Sequence, residues 1–231
     1  MGTNVKLDLI YFKMRAFAEP AQLLLSYGNL EYKYHMAWDY YNKSWDELKE
    51  TIPFGQLPLL VVNDEIKIWQ SGSIVRYISN LIGKNPRNKE ELGKVDALFE
   101  SSQELLQPLN MTINFLSGDA FEKNKELVLG SFKPKLSYFN RIIETSGGPF
   151  FYGSEPFYCD FGVYHQFSLL RLLDEQLFKY TPLISSFMGK IENLSGVKEY
   201  LDKRPELIGV SSCPQLVING KAVPTLSLIH I

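Results

Sequence analysis

Strand and helix signals alternate over the first third of this 231-residue chain, and nearly everything after that is helical. VKLDLIYF, at residues 5–12, is typical of a strand, and residues 18–25 keep their apolar side chains at helical spacing. LPLLVV and EIKIW flank an Asn-Asp turn and therefore predict a β-hairpin. Residues 74–82 then place Ile, Val and Leu on one helical face. This β-α…β-β-α order constrains the N-terminal part to a small α/β domain.

The segment GKNPRNKEE is polar, contains Pro and Gly, and predicts a linker. Beyond it lie three apolar stripes at helical spacing and two shorter helical segments, at residues 95–109, 136–143, 161–173, 182–191 and 197–203. We therefore predict a thioredoxin-like α/β domain over residues 1–83, a linker over 84–91 and an all-α helical domain over 92–225.

The last six residues, LSLIHI, are the translation of a common transposase adapter, CTGTCTCTTATACACATC. We interpret residues 226–231 as an adapter-derived tail rather than as part of the fold.

The composition argues against several classes of function. A net charge of −2 does not attract nucleic acid or an anionic membrane surface. The longest apolar runs are far shorter than a bilayer span. The N-terminus MGTNVK lacks the apolar core of a signal peptide and the Ser or Thr of a myristoylation motif. Cys159 and Cys213 form no CxxC motif, which argues against a disulfide framework or a metal site. We expect a cytoplasmic protein with no metal, nucleic-acid or membrane partner.

Three elements of the small domain suit the parts of a small anionic peptide. Tyr11 places a phenol at the end of the first predicted strand. The Leu57-Pro58 step can expose a backbone edge for a peptide to pair with. Gln70 and Ser71 open an apolar helix, whose N-terminus favours a carboxylate. Two structural alternatives stay open, namely Tyr11 as a plain strand aromatic and Ser71 as an ordinary N-cap.

Several longer segments match the motifs of one known family in order and spacing. YFKMRAFAEP is similar to its YFxxRGxAEx, and Trp45 with Lys49 to its WxxxK. PFGQLPLL and QSGSIVRYI are near-matches to its PFGQLPxL and QSxAIxRYL, and VDALFE, FYGSEPFYCDF and GVKEYLDKRP resemble its C-terminal segments. Across essentially the whole chain, these residues resemble cytosolic glutathione transferases of the tyrosine type, closest to the sigma class. The resemblance implies the two-domain fold of that family.

The resemblance also implies roles for individual residues, with glutathione as co-substrate and no further cofactor. Tyr11 would donate a hydrogen bond to the glutathione sulfur, because a free thiol with a pKa near ~8.5 forms little thiolate at neutral pH. A cis bond at Pro58 would leave the Leu57 backbone free for the cysteinyl backbone, and Gln70 and Ser71 would bind the γ-glutamyl carboxylate. The remaining implied glutathione contacts are Phe12, Trp45, Lys49, Gln56 and Glu100, with plain packing as the alternative for Trp45.

Some residues depart from the family pattern. Phe17 stands where several classes have an Arg that stabilises the thiolate, and with Gln107 and Met111 it is a candidate for the electrophile pocket. Glu100 stands where many relatives have an Asp that reaches the neighbouring subunit's site, and a solvated helix-face glutamate is the alternative. Phe54 corresponds to an aromatic that inserts into the partner subunit in some classes, with local packing as the alternative.

Together these features predict a homodimeric glutathione transferase of sigma-like type with a role in detoxification. Bound glutathione thiolate would attack a small apolar electrophile in a pocket between the domains. One alternative is a glutathione-dependent isomerase resembling prostaglandin-D synthase, which shares the thiolate machinery. Another is a non-catalytic, crystallin-like or ligand-binding relative, which would show an eroded glutathione site.

Overall fold

The computed structural model of the chain describes residues 5–225. Its N-terminal part contains a four-stranded sheet in the order β2-β1-β3-β4. The strands are β1 (Leu7–Tyr11), β2 (Lys33–Met36), β3 (Leu59–Val62) and β4 (Ile66–Trp69). β1 runs parallel to β2 and antiparallel to β3, while β3 and β4 form the predicted hairpin. Every residue of β1 and β3 is buried, because these apolar strands lie at the centre of the sheet.

β2 is an edge strand that the sequence pattern does not reveal. Its four residues, KYHM, are partly or fully exposed, and their alternation of polar and apolar side chains is too short to distinguish a strand. It forms because it pairs with β1 across the register Asp8–Lys33 to Tyr11–Met36. Tertiary pairing rather than local propensity therefore decides this element.

Four helices accompany the sheet, namely α1 (Glu19–Tyr27), α2 (Ala37–Tyr41), α3 (Trp45–Lys49) and α4 (Ser71–Leu81). A capping box starts α3, in which Ser44 Oγ accepts from the Glu47 N–H and the Glu47 carboxylate accepts from the Ser44 N–H at 2.9 Å. This cap fixes Trp45 as the first residue of the helix.

The larger domain is built from seven helices within the described residues. They are α5 (Lys89–Glu104), α6 (Leu106–Phe115), α7 (Gly118–Phe132), α8 (Leu136–Ser146), α9 (Tyr158–Leu173), α10 (Pro182–Glu192) and α11 (Val197–Lys203). α9 is buried along almost its whole length and packs on α5. The two helices approach closely at Gly162, where an added Cβ would lie 2.9 Å from the Phe99 ring. The stripe predicted over residues 95–109 is divided at Leu105, because Pro108 cannot donate to the carbonyl of Glu104.

The prediction of helices alone beyond residue 92 is wrong for the last described segment. Three antiparallel strands lie there in the order β5-β6-β7, at Glu206–Ile208, Gln215–Ile218 and Lys221–Pro224. Asn219 and Gly220 both have positive φ, 50° and 75°, and form the two-residue turn between β6 and β7. An Asn-Gly pair between apolar runs is a strong hairpin signal that could have predicted this sheet. The proposed adapter-derived tail, residues 226–231, lies outside the described residues.

A buried ion pair fixes the two domains against each other. Glu19 of α1 is almost fully buried, and its carboxylate contacts Arg204 Nη1 at 2.5 Å. The Tyr200 hydroxyl of α11 donates to the same carboxylate at 2.9 Å. Burial favours the neutral acid, but the charges of Arg204, His165 and Arg15 and the hydrogen bond from Arg204 together lower the pKa of Glu19 below its usual value. We call Glu19, Tyr200 and Arg204 the domain junction.

Within residues 5–225, none of the helices combines the length and apolar character that crossing a bilayer requires.

Candidate active site

A pocket of about 510 Å³ lies between the two domains and brings together eleven of the thirteen predicted site residues. These eleven are Tyr11, Phe12, Phe17, Trp45, Gln56, Leu57, Pro58, Gln70, Ser71, Gln107 and Met111. A groove of about 610 Å³ between α8 and residues 174–181 is larger, but it is more open and contains none of them. The smaller pocket is therefore the candidate active site.

Tyr11 ends β1 at the floor of this pocket and is 2% exposed. Its hydroxyl oxygen accepts a hydrogen bond from the backbone N–H of Phe17 at 3.2 Å. Burial raises the pKa of Tyr11 well above its usual value, and the Phe17 N–H only partly opposes this effect. The phenol therefore keeps its proton at neutral pH. Within residues 5–225 that proton has no acceptor in the protein, so it is available to a group in the pocket.

The backbone at Leu57 is open on the pocket side. The predicted cis bond between Leu57 and Pro58 is confirmed. No hydrogen bond from the Leu57 N–H or to its carbonyl is formed within the described part of the chain. The chain enters β3 two residues later and pairs with β1 there. A free donor and acceptor at this point suit an extended peptide backbone.

The N-terminus of α4 forms one end of the pocket. α4 begins at Ser71, and Gln70 precedes it with φ 70° and ψ 127°, an unusual conformation for a residue other than Gly. Ser71 is therefore the first helical residue rather than the N-cap, and within residues 5–225 the side chain of the N-cap, Gln70, forms no capping hydrogen bond. The Gln70 side-chain amide lies 3.4 Å from that of Gln56. The unpaired N–H groups of the first turn and these polar side chains can together bind a carboxylate.

Aromatic side chains form another part of the pocket wall. Phe12 meets Trp45 edge to face at 4.9 Å and lies 5.3 Å from the Tyr11 ring. The Tyr34 hydroxyl donates to the Phe12 carbonyl at 2.6 Å and holds the loop after β1 in place. Trp45 is half-buried and faces the pocket, so packing accounts for only part of its surroundings.

The side of the pocket nearest α6 is mainly apolar. Phe17 comes from the loop after β1, while Gln107 and Met111 come from one face of α6. Sequence reasoning missed four further lining residues, Met14, Gly55, Asn110 and Phe115. Helical spacing could have found two of them, since Asn110 and Phe115 lie three and eight residues after Gln107 on the same face.

Lys49 and Glu100 do not line this pocket. Lys49 is exposed, and its stem lies beside Gly55 at the rim. The Glu100 carboxylate pairs with the Arg76 guanidinium at 2.5 Å, and Arg76 also pairs with Asp96 at 2.7 Å. Glu100 is therefore an ion-paired residue rather than a freely solvated one, and among residues 5–225 it is not part of the pocket lining.

Phe54 projects from the turn before the cis bond. Its side chain is 71% exposed and its φ is 66°. The exposed ring therefore does not support local packing, which was the structural alternative for this residue.

Among the described residues, no group of three or more His, Cys, Asp or Glu side chains could hold a metal ion.

Comparisons with known proteins agree with this geometry. The family models "Glutathione S-transferase, N-terminal domain" and "Glutathione S-transferase, C-terminal domain" match residues 7–80 and 109–204. The chain is 28% identical over 205 residues to Probable glutathione S-transferase 9 of Caenorhabditis elegans, covering 87% of this chain and 98% of the relative.

Solved structures give the same result for the fold. The Pi-class glutathione S-transferase of Onchocerca volvulus superimposes with a TM-score of 0.74 at 26% identity, over 85% of this chain and 92% of that one. Prostaglandin synthase D of Nilaparvata lugens gives a TM-score of 0.73 at 22% identity, over 87% and 100% of the two chains. At that identity the second likeness concerns the fold alone.

Proposed function

The chain belongs to the cytosolic glutathione S-transferase family, and we propose that it joins the thiolate sulfur of glutathione to small apolar electrophiles. The observation that carries this proposal is the Tyr11 hydroxyl. Its oxygen accepts from the Phe17 N–H, while its proton is available to the pocket. A donor fixed in this way favours an anion next to it.

The chemistry requires a thiolate at neutral pH. A free thiol has a pKa near ~8.5, so a hydrogen bond that stabilises the charged sulfur increases the reactive fraction. The sulfur then attacks the electrophilic carbon and forms the S–C bond. The electron pair of the broken bond leaves with the leaving group, or, in an addition, moves to a neighbouring atom that takes a proton from water. Tyr11 stays protonated throughout, as its raised pKa requires.

The rest of the tripeptide would extend from the sulfur along the small domain. The γ-glutamyl carboxylate would lie at the N-terminus of α4, with Gln70 and Ser71. The cysteinyl backbone would pair with the free N–H and carbonyl of Leu57, which cis-Pro58 orients. The glycyl end and the flanks would then contact Phe12, Trp45, Lys49 and Gln56. The electrophile would lie against Phe17, Gln107 and Met111.

We further propose that the protein is a tyrosine-type, sigma-like homodimer that serves detoxification in the cytoplasm. The exposed Phe54 side chain supports a dimer, because a large apolar group in water favours burial by a partner. Glu100 would then approach the glutathione of the partner subunit. The closeness to the sigma class rests on the sequence motifs alone. The free cysteines, Cys159 and Cys213, fit a reducing compartment.

The test combines retention on immobilised glutathione with conjugation of 1-chloro-2,4-dinitrobenzene. We expect the wild type to be retained and active, and Tyr11→Phe to be retained but about 10²-fold slower, as when one fixed oxyanion donor is removed. Tyr138→Phe, which removes an exposed phenol of α8, is the matched control and should match the wild type. Retention of an inactive wild type would indicate the non-catalytic alternative and overturn the proposal.

A further inference from the structure

A second cavity, of about 240 Å³, lies on the other side of the loop that follows β1. It shares Phe12 and Met14 with the active-site pocket, and these two side chains form the partition between them. Its outer wall comes from the C-terminal sheet, through Leu216 and Ile218 of β6. Nothing in the transferase chemistry described above uses this cavity.

Arg15 is the unusual charged group of this cavity. Its guanidinium donates to the Pro205 carbonyl, and no carboxylate lies within 4 Å of it among residues 5–225. Burial, followed by the charge of Arg204, lowers the pKa of Arg15. A partly buried cation without an anionic partner is costly, so an anion at this position would be stabilised.

The carboxylate of Glu19 attracts Arg15 but forms no ion pair with it within residues 5–225. Glu19 also lines the cavity, but it is already held by Arg204 and the Tyr200 hydroxyl. Two guanidinium groups thus face a single carboxylate. The third cation that lines the cavity, Lys13, places its ammonium over the Trp38 ring at 5.5 Å.

The remaining walls are mainly apolar, and the side-chain amide of Gln22 is hydrogen-bonded to Glu19 and Tyr32. Leu216 and Ile218 point from one face of β6 toward Met14 and Met36, and the Tyr34 hydroxyl is already bonded to the Phe12 carbonyl. A ligand with a short hydrocarbon body would therefore bury apolar surface while its charged end meets Arg15.

We propose that this cavity binds a small amphipathic monocarboxylate, with its carboxylate on Arg15 and its hydrocarbon chain against β6. The cavity is small, so the ligand is a medium-chain acid rather than a long-chain lipid. Because Phe12 and Met14 separate the two cavities, the acid binds alongside a ligand of the active site rather than in its place.

Octanoate is the probe, and its binding to the full chain is measured by calorimetry with the active site saturated by S-hexylglutathione. We expect one octanoate per chain, and at least about tenfold weaker binding for 1-octanol or for Arg15→Gln, as for loss of a charge-assisted contact. Octanoate binding that is seen without S-hexylglutathione but lost when S-hexylglutathione saturates the active site would overturn the proposal, and so would the absence of octanoate binding in both conditions.

Two variants of β6 test the location even if S-hexylglutathione does not bind. Ile218→Trp fills the cavity and should abolish octanoate binding. Val217→Trp places the same bulk on the opposite face of the strand and should leave binding unchanged. Thermal melting of both variants checks that they fold. Equal octanoate binding in Ile218→Trp and the wild type would contradict the assignment whatever the outcome of the transferase assay.

Discussion

The two sides of the active-site pocket are built in different ways. The side proposed for glutathione uses mainly backbone geometry, through the end of β1, the free backbone at Leu57 and the first turn of α4, to which the hydroxyl groups of Tyr11 and Ser71 are added. The side proposed for the electrophile uses side chains only, from the loop after β1 and one face of α6. Backbone geometry is fixed by the fold, whereas side chains can be exchanged without changing it. We therefore expect the first side to define the co-substrate and the second to define the range of electrophiles.

The domain junction holds the two domains together, and with them the two sides of the pocket. Breaking it should have the largest effect of the changes considered, and that effect is on the stability of the fold. Arg204→Met leaves the buried Glu19 carboxylate without its cation, which we expect to lower the free energy of unfolding by about 3 kcal/mol. Chemical denaturation measures the change.

Arg171→Met is the matched control for this prediction. Arg171 pairs with Glu192 at 2.6 Å but is 45% exposed, so its loss should cost less than about 1 kcal/mol. Equal losses in the two variants would show that the junction is no stronger than a surface ion pair.

Ser71→Ala tests the glutathione side alone. It removes a hydroxyl from the proposed carboxylate site, and we expect KM for glutathione to rise about tenfold while KM for the electrophile stays the same. Ser73→Ala changes an exposed hydroxyl on the same helix and should alter neither constant. A rise in the KM of the electrophile would mean that the two sides are not separable.

Met111→Ala tests the electrophile side and should have the smallest effect. Met111 is 46% exposed, so its truncation removes part of an apolar contact and should raise KM for the electrophile a few-fold, with KM for glutathione unchanged. Leu127→Ala, a similarly exposed apolar truncation on α7, is the control. A larger effect on glutathione than on the electrophile would contradict the division of the pocket.

The same division explains what the sequence could predict. Tyr11, Pro58 and Ser71 belong to short motifs whose spacing reflects backbone geometry, and the structure places all three in one pocket. Met14 was missed because no motif marks a side chain that only fills space, whereas the helical spacing of α6 could have predicted Phe115. β2 was missed because its pairing with β1 is a tertiary effect. The C-terminal sheet was missed although its Asn219-Gly220 turn was readable from the sequence.

The central claim is that Tyr11 stabilises the thiolate of bound glutathione. The direct measurement is an ultraviolet titration of that thiolate on the wild type and on Tyr11→Phe, both saturated with glutathione. We predict an apparent pKa at least about one unit below the free-thiol value of ~8.5 in the wild type, and close to that value in the variant. The same pKa in both proteins would contradict the account.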